Sequence, residues 1–361
     1  MRSMAWALLI AAVTLANTFC LAAEPIALLE LKIGKERLEG RIAAHNDETC
    51  WLLRRDGRLA AFRTDDVTDF HEIEPRFRPM SMLDLRDQLQ KEFGRGFETK
   101  TTAHYVVVAQ RGTAERYVAL FEQIYRQFHT YFTVRGFRIA EPEFPMIAVV
   151  LPDQQSFVDY CVGEGARPQP NLVGYYLPSS NRVALYDRAA VGQSTAGDVD
   201  DTVIHEATHQ VAFNTGVHSR IGQSPLWLVE GLATLFEADG IRQRAAVASI
   251  GDRINTGRFD GFADFRKQRR TSKSLEAFVR DDTLFKKSAL DAYSQAWALT
   301  FYLAETRSVE FAKYLKTVAG RNPLEKYEPD ARVKDFRDAF GRDLDFLETG
   351  MLRFYDRLRA E

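Results

Sequence analysis

Between Ile26 and about Glu74 apolar and polar residues alternate over short runs, ALLELKI, RLEGRIAAH and TCWLLRRDGRLAAFRT, with the two-residue rhythm of half-buried strands. Arg55-Asp-Gly57 interrupts the last run, and Asp-Gly between apolar runs predicts a hairpin, so a small β-module is expected over residues 24–79. Pro75 and Pro79 punctuate its end, and Ser81 caps a predicted helix over MLDLRDQLQKEF. The pattern then reads strand (103–110), helix with apolar residues at helical spacing (113–132) and strand (145–152). FVDYCV and a Gly/Pro-rich loop, Gly163 to Pro170, lead into LVGYYLPSSNRVALYD (172–187). Its Pro-Ser-Ser-Asn centre predicts a hairpin or a bent strand at a sheet edge. From Asp198 to the end helical periodicity dominates. The expected fold class is α+β, a β-module followed by one large domain over 80–361, with an α/β part at 80–190 and a helical part at 191–361.

The chain start follows another rule. Arg2, the apolar stretch Met4 to Phe19 and the small residues of Leu21-Ala-Ala23 predict a secretory signal over residues 1–23, cleaved after Ala22 or Ala23. The apolar stretch falls short of a membrane span, so an exported protein, periplasmic or secreted, with no stable membrane insertion after cleavage is expected. Cys20 lacks the neighbours of a lipid-attachment site, which leaves Cys50 and Cys161, expected as two unpaired buried thiols. At 361 residues and 45% hydrophobic content the chain can bury a large core. Its formal charge of −2 is well mixed, and the one basic run, Arg266 to Arg270, reads as a solvated turn or helix face. No nucleic-acid partner is expected.

The candidate chemistry sits in VIHEATHQVAF (203–213). On a helix over 202–214, His205 and His209 fall one turn apart on one face, so both imidazoles can reach one metal, with Glu206 slightly round the helix. Asp200, Asp201 and Thr202 offer an N-cap and Gly216 a stop. An amphipathic helix with ordinary histidines would carry the same spacing. The next segment, SPLWLVEGLATLFE (224–237), predicts a second helix capped by Ser224 with Pro225 at its first position. Within it Glu230 lies among Trp227, Leu228, Val229, Leu232 and Leu235, where an unpaired carboxylate is costly to bury. Gly231 and Ala233 allow a close helix approach. His205, His209 and Glu230 would then supply three ligands to one Zn²⁺ per chain and leave the fourth position to water, the complement of a catalytic site.

HExxH followed by P-x-W-L-x-E-G-x-A over residues 200–305 resembles the gluzincin zinc metallopeptidases, the thermolysin-like and aminopeptidase-like superfamily, and in particular an exported bacterial branch. The resemblance implies a peptide or protein substrate, with Glu206 as general base and a tyrosine on a later helix stabilising the oxyanion. AYSQAWALTFYL (292–303) is similar to that helix, making Tyr293 the candidate and Tyr302 its understudy, although the same aromatic spacing suits a core stripe. The superfamily often has an acidic residue four positions after its glutamate ligand, where this chain has Thr234, so Glu237 or Asp201 is left to orient a histidine. SNRVALYD (180–187) is the expected edge strand for an extended substrate. His218 is expected as an exposed loop histidine, and His45, His71, His104 and His129 as background. The competing readings are an exported binding module that keeps the fold without turnover, and a β-module that docks the protein to a surface or partner.

Overall fold

The computed structural model describes residues 26–168, 172–187, 196–243 and 249–359, with 196–200 described by backbone alone. The signal segment expected over 1–23 lies outside them. The fold is α+β: an N-terminal antiparallel sheet, a mixed sheet and a helical C-terminal half. No helix among the described residues is long and apolar enough to cross a membrane.

The first sheet contains β1 (Leu28–Ile33), β2 (Glu36–His45), β3 (Thr49–Leu53), β4 (Leu59–Arg63) and β5 (Val67–Glu74), in the order β4-β3-β2-β1-β5. The turn between β3 and β4 is the predicted Asp-Gly turn, with Gly57 at φ +83°, a backbone that side chains with a Cβ rarely adopt. A small apolar cluster joins Leu28 and Leu53 of this module, and Phe77 just beyond β5, to Phe144, two residues before a central strand of the second sheet.

The second sheet follows α1 (Met82–Phe93), whose Ser81 side chain accepts the Asp84 N–H as the sequence predicts. Its strands are β6 (Phe97–Thr101), β7 (Tyr105–Gln110), β8 (Met146–Leu151), β9 (Gly174–Leu177) and β10 (Arg182–Tyr186), in the order β6-β7-β8-β10-β9. β7, β8 and β10 run parallel and the outer strands antiparallel. Helices cover both faces, which is why the central strands read as unbroken apolar runs. Val106, Val108, Ile147 and Val149 pack with Leu85 and Leu89 of α1 and with Phe157 and Cys161 of α3 (Gln154–Gly163). The alternate residues Tyr105, Val107, Met146 and Ala148 pack in the main core with α2 (Ala114–Val134) and α4 (Ala196–Asn214).

Two expectations need correction here. SNRVALYD is not an edge strand: all five β10 residues are buried, and β10 is paired on one side with β8 and on the other with β9. The Pro178 to Asn181 turn folds GYYL back along it, so β9 is the outer strand on that side of the described sheet. Strand β6 has no counterpart in the pattern, because FETKT alternates too weakly to stand out.

The helical half contains α5 (Leu226–Glu237), α6 (Asp239–Arg242), α7 (Thr256–Gln268), α8 (Ser274–Arg280), α9 (Thr283–Lys287), α10 (Ala289–Thr306), α11 (Ser308–Ala319), α12 (Pro329–Phe340) and α13 (Leu344–Leu358). The basic run at the end of α7 is not merely solvated. Arg266 pairs with Asp356 at 2.6 Å, Arg269 with Asp291 at 2.8 Å, and the nearly buried Arg270 with Glu348, tying α7 to α13 and α10. Cys50 and Cys161 are free and buried, and burial pushes both thiols up to about 11.

Candidate metal centre

Helix α4 is described from Ala196, ahead of the Asp-Asp-Thr cluster expected to cap it. Asp201 and Thr202 therefore lie inside the helix. It ends at Asn214 before Gly216, whose φ of +76° reverses the chain as anticipated. Helix α5 starts at Leu226 with Pro225 as the flanking residue, so Ser224 is not the cap; its buried hydroxyl has no hydrogen-bond partner.

The two helices bring together the three residues proposed as ligands. His205 Nε2 and His209 Nε2 lie 3.1 Å apart with their rings nearly perpendicular. Glu230 Oε2 is 3.3 Å from the first and 3.4 Å from the second. Among the described residues this is the one cluster of three His, Cys, Asp or Glu side chains with all ligand atoms within 4.8 Å of one another.

The donor set fits a tetrahedral ion. Bonds of about 2.0–2.1 Å to nitrogen and oxygen, opened at the tetrahedral angle, place ligand atoms about 3.3–3.4 Å from each other. Glu230 Oε2 is also a buried oxygen without a well-aligned hydrogen-bond donor. Burial opposes its charge, but the His209 and His205 imidazoles outweigh burial and hold the carboxyl well below the usual carboxylate range. Burial likewise opposes charge on His205, yet Glu230 and Glu237 raise it well above the ordinary imidazole value. A divalent cation would satisfy lone pairs that the protein itself aims at one point.

Glu237 orients His205. Its Oε1 lies 2.7 Å from His205 Nδ1, which directs Nε2 toward His209 and Glu230. Seven residues make about two turns, so Glu230 and Glu237 share a face of α5 and meet the same histidine from either side. Thr234 Oγ1 donates back to Glu230 O at 2.8 Å. Asp201, the other candidate, is exposed.

Glu206 lies outside the ligand cluster. Its Oε2 accepts the Tyr176 N–H of edge strand β9 at 2.7 Å. The approach is close enough that a Cβ on Gly174 would stand 2.6 Å from Thr202 Cγ2 and 3.1 Å from Glu206 Cγ.

Tyr293, on the second turn of α10, has its ring 6.3 Å from that of His205 and edge-on to Phe285 at 5.6 Å. Burial, with the negative charges of Glu230 and Glu206, raises its phenol far above the ordinary value and keeps it a neutral donor. Tyr302 turns the other way: its ring packs 5.5 Å from Phe354 and its hydroxyl faces Gly350, both on α13.

His218 departs from its expected exposure. It is 2% exposed, packs 5.2 Å from the Phe213 ring, and is pushed down to about 3 by burial and the neighbouring His209. The Schellman-like bonds of Val217 and His218 N–H to Ala212 O fold it back under α4. Sequence reasoning missed Asn255, the cap of α7, whose Nδ2 donates to Glu237 Oε2 at 2.6 Å. It also missed Arg258, whose Nε is 3.8 Å from Glu237 Oε2 and whose guanidinium lies 5.1 Å over the Tyr293 ring. An Asn-Thr-Gly helix start is visible in the sequence, but the tertiary contact it makes has no local signature.

Residues 200–325 match the family model described as Protein of unknown function (DUF1570), a span that takes in His205, Glu206, His209, Glu230, Glu237 and Tyr293. A comparison with curated proteins finds no match.

Proposed function

We propose that this chain is an exported zinc-dependent metallopeptidase of gluzincin type that hydrolyses peptide bonds in peptides or proteins. The observation that carries the reading is the convergence of His205 Nε2, His209 Nε2 and Glu230 Oε2 within 3.4 Å, with Glu237 fixing His205 from behind. Zinc held by these three residues supplies Lewis acidity, polarising a carbonyl oxygen and making water acidic enough to attack near neutral pH. Glu206, on the ligand helix but outside the ligand set, accepts the proton of the attacking water and passes it to the departing amine. Tyr293, held protonated, donates a hydrogen bond to the oxygen on which charge develops. The export part of the proposal rests on Arg2, the apolar stretch Met4 to Phe19 and Ala22-Ala23.

Metal content and cleavage of a peptide library are measured on wild type, Glu206→Gln and Glu230→Gln. The expected result is one zinc per chain in wild type and Glu206→Gln, turnover lower by several orders of magnitude in Glu206→Gln, and weakened zinc retention in Glu230→Gln. Wild-type protein that purifies and reconstitutes without metal would sink the site. Bound zinc with no cleavage would favour an exported binding module that keeps the fold.

A further inference from the structure

We infer that Arg220 is a positioning residue through which the N-terminal β-module holds edge strand β9 against Glu206. Its catalytic consequence rests on the metallopeptidase reading; its structural content does not.

Arg220 lies in the loop between α4 and α5. Its Nη2 donates to Gly57 O and to Pro178 O, each at 2.7 Å, and its Nε donates to Pro178 O at 3.0 Å. One guanidinium thereby joins the β3–β4 turn of the module to the β9–β10 turn of the second sheet. The same guanidinium neighbours the Tyr176 hydroxyl, which donates to Asn181 Oδ1 at 2.9 Å. Tyr176 is also the residue whose backbone N–H reaches Glu206 Oε2.

Two further ties cross the seam. Leu59 N–H donates to Ser179 O at 2.7 Å, and Arg58 meets Glu164 through two bonds of 2.9 Å. There is little slack at the turn itself, where a Cβ on Gly57 would lie 3.3 Å from the Phe144 ring and 3.5 Å from Asn181 Nδ2.

The need for such a clamp follows from β9. It has four residues and, among the described residues, pairs as a strand with β10 alone, so contacts outside the ladder help to fix it. Its trailing end, Pro178, is held by a charged fork that carries bonds to two carbonyls, stronger and more directional than neutral donors. Releasing it frees the strand that places a donor on Glu206, and a displacement of about 1 Å at a reacting group is enough to cost about 100-fold in rate. In this geometry the β-module is part of the scaffold of the site and not an appendage.

The test compares full-length wild type with Arg220→Gln, Arg220→Lys and, from the module side, Gly57→Ala, reading zinc content, peptide turnover and hydrogen exchange over β9. Arg63→Gln serves as a control, since Arg63 pairs with Asp65 at 3.7 Å, at the end of β4 remote from the clamped turn. Arg220→Gln and Gly57→Ala are expected to keep wild-type zinc, speed amide exchange in β9 and lower kcat about 10- to 100-fold, with KM changed less than about threefold. Arg220→Lys, which keeps a charged donor, recovers part of the loss, and added guanidinium rescues Arg220→Gln. Arg63→Gln behaves as wild type. Wild-type exchange and kcat in Arg220→Gln would overturn the inference, as would zinc lost in step with kcat. If Arg220→Gln does not fold, undisturbed β9 exchange in both Arg220→Lys and Gly57→Ala overturns it. Failure of the metallopeptidase reading shows separately, as metal-free wild type or an active Glu206→Gln, and β9 exchange still decides the clamp.

Discussion

His205 Nδ1 and Glu237 Oε1 lie 2.7 Å apart, and the opposite nitrogen of the same ring is 3.3 Å from Glu230 Oε2. One helix, α5, thus grips one imidazole from both ends, with one carboxylate as candidate ligand and the other as anchor. Anchors of this kind set the tautomer and raise the basicity of a ligating histidine, and their loss typically costs 10- to 100-fold in metal affinity. Glu237→Ala should weaken zinc binding by about that factor, measured by competition with a chelating dye. Glu237→Gln keeps an acceptor but not the charge and should fall between Ala and wild type. Wild-type affinity in Glu237→Ala would show that the bond is incidental.

Gly231, next to Glu230, is fixed by steric necessity. A Cβ there would stand 2.2 Å from Thr300 Oγ1 and 2.7 Å from Ala296 O, the latter a backbone atom that cannot rotate away. Gly231→Ala must therefore push α5 off α10, carrying the neighbouring Glu230 with it. The expected cost is about 2–3 kcal/mol of stability, within the range for overpacked cores, together with weaker zinc retention. Urea melts with and without metal test this. Unchanged stability and zinc retention would show that the α5–α10 contact accommodates a Cβ without moving Glu230.

These contacts also mark how far the chemistry was legible in the sequence. His205 and His209 share a face because helical spacing is local, and Glu230 stands out because a carboxylate among Trp227, Leu228 and Leu232 needs a partner. The strand, helix and strand over 103–152 followed from periodicity for the same reason. What stayed hidden depends on the folded chain. The burial of His218, the central place of β10 and the reach of Arg220 to Gly57 arise from segments far apart in sequence, and no short-range pattern encodes them. Glu237 could be named only as one of two candidates, because choosing it over Asp201 required knowing which face of α5 meets α4.

Asp291 anchors the first turn of α10, two residues before Tyr293. Its two oxygens accept from Arg269 at 2.8 and 2.9 Å, and Ser288 Oγ donates to one of them at 2.9 Å. The Arg269 hydrogen bonds, opposed by burial and aided by Ser288, hold the Asp291 carboxyl below its ordinary value. A depressed folded pKa means that the unfolded chain takes up the proton first. The stabilisation is therefore complete above the unfolded value of about 3.9 and is lost as pH falls through the lower folded value. Arg269 is 46% exposed, so solvent screening keeps the charged pair weak. Asp291→Asn should be less stable than wild type by similar small amounts at pH 7 and pH 5, with the gap closing below about pH 4 as the wild-type carboxyl protonates. Urea melts at the three pH values read the difference directly. A gap of constant size down to pH 3 would assign the loss to altered packing at the start of α10, and the charge would then have no part in holding the turn that presents Tyr293.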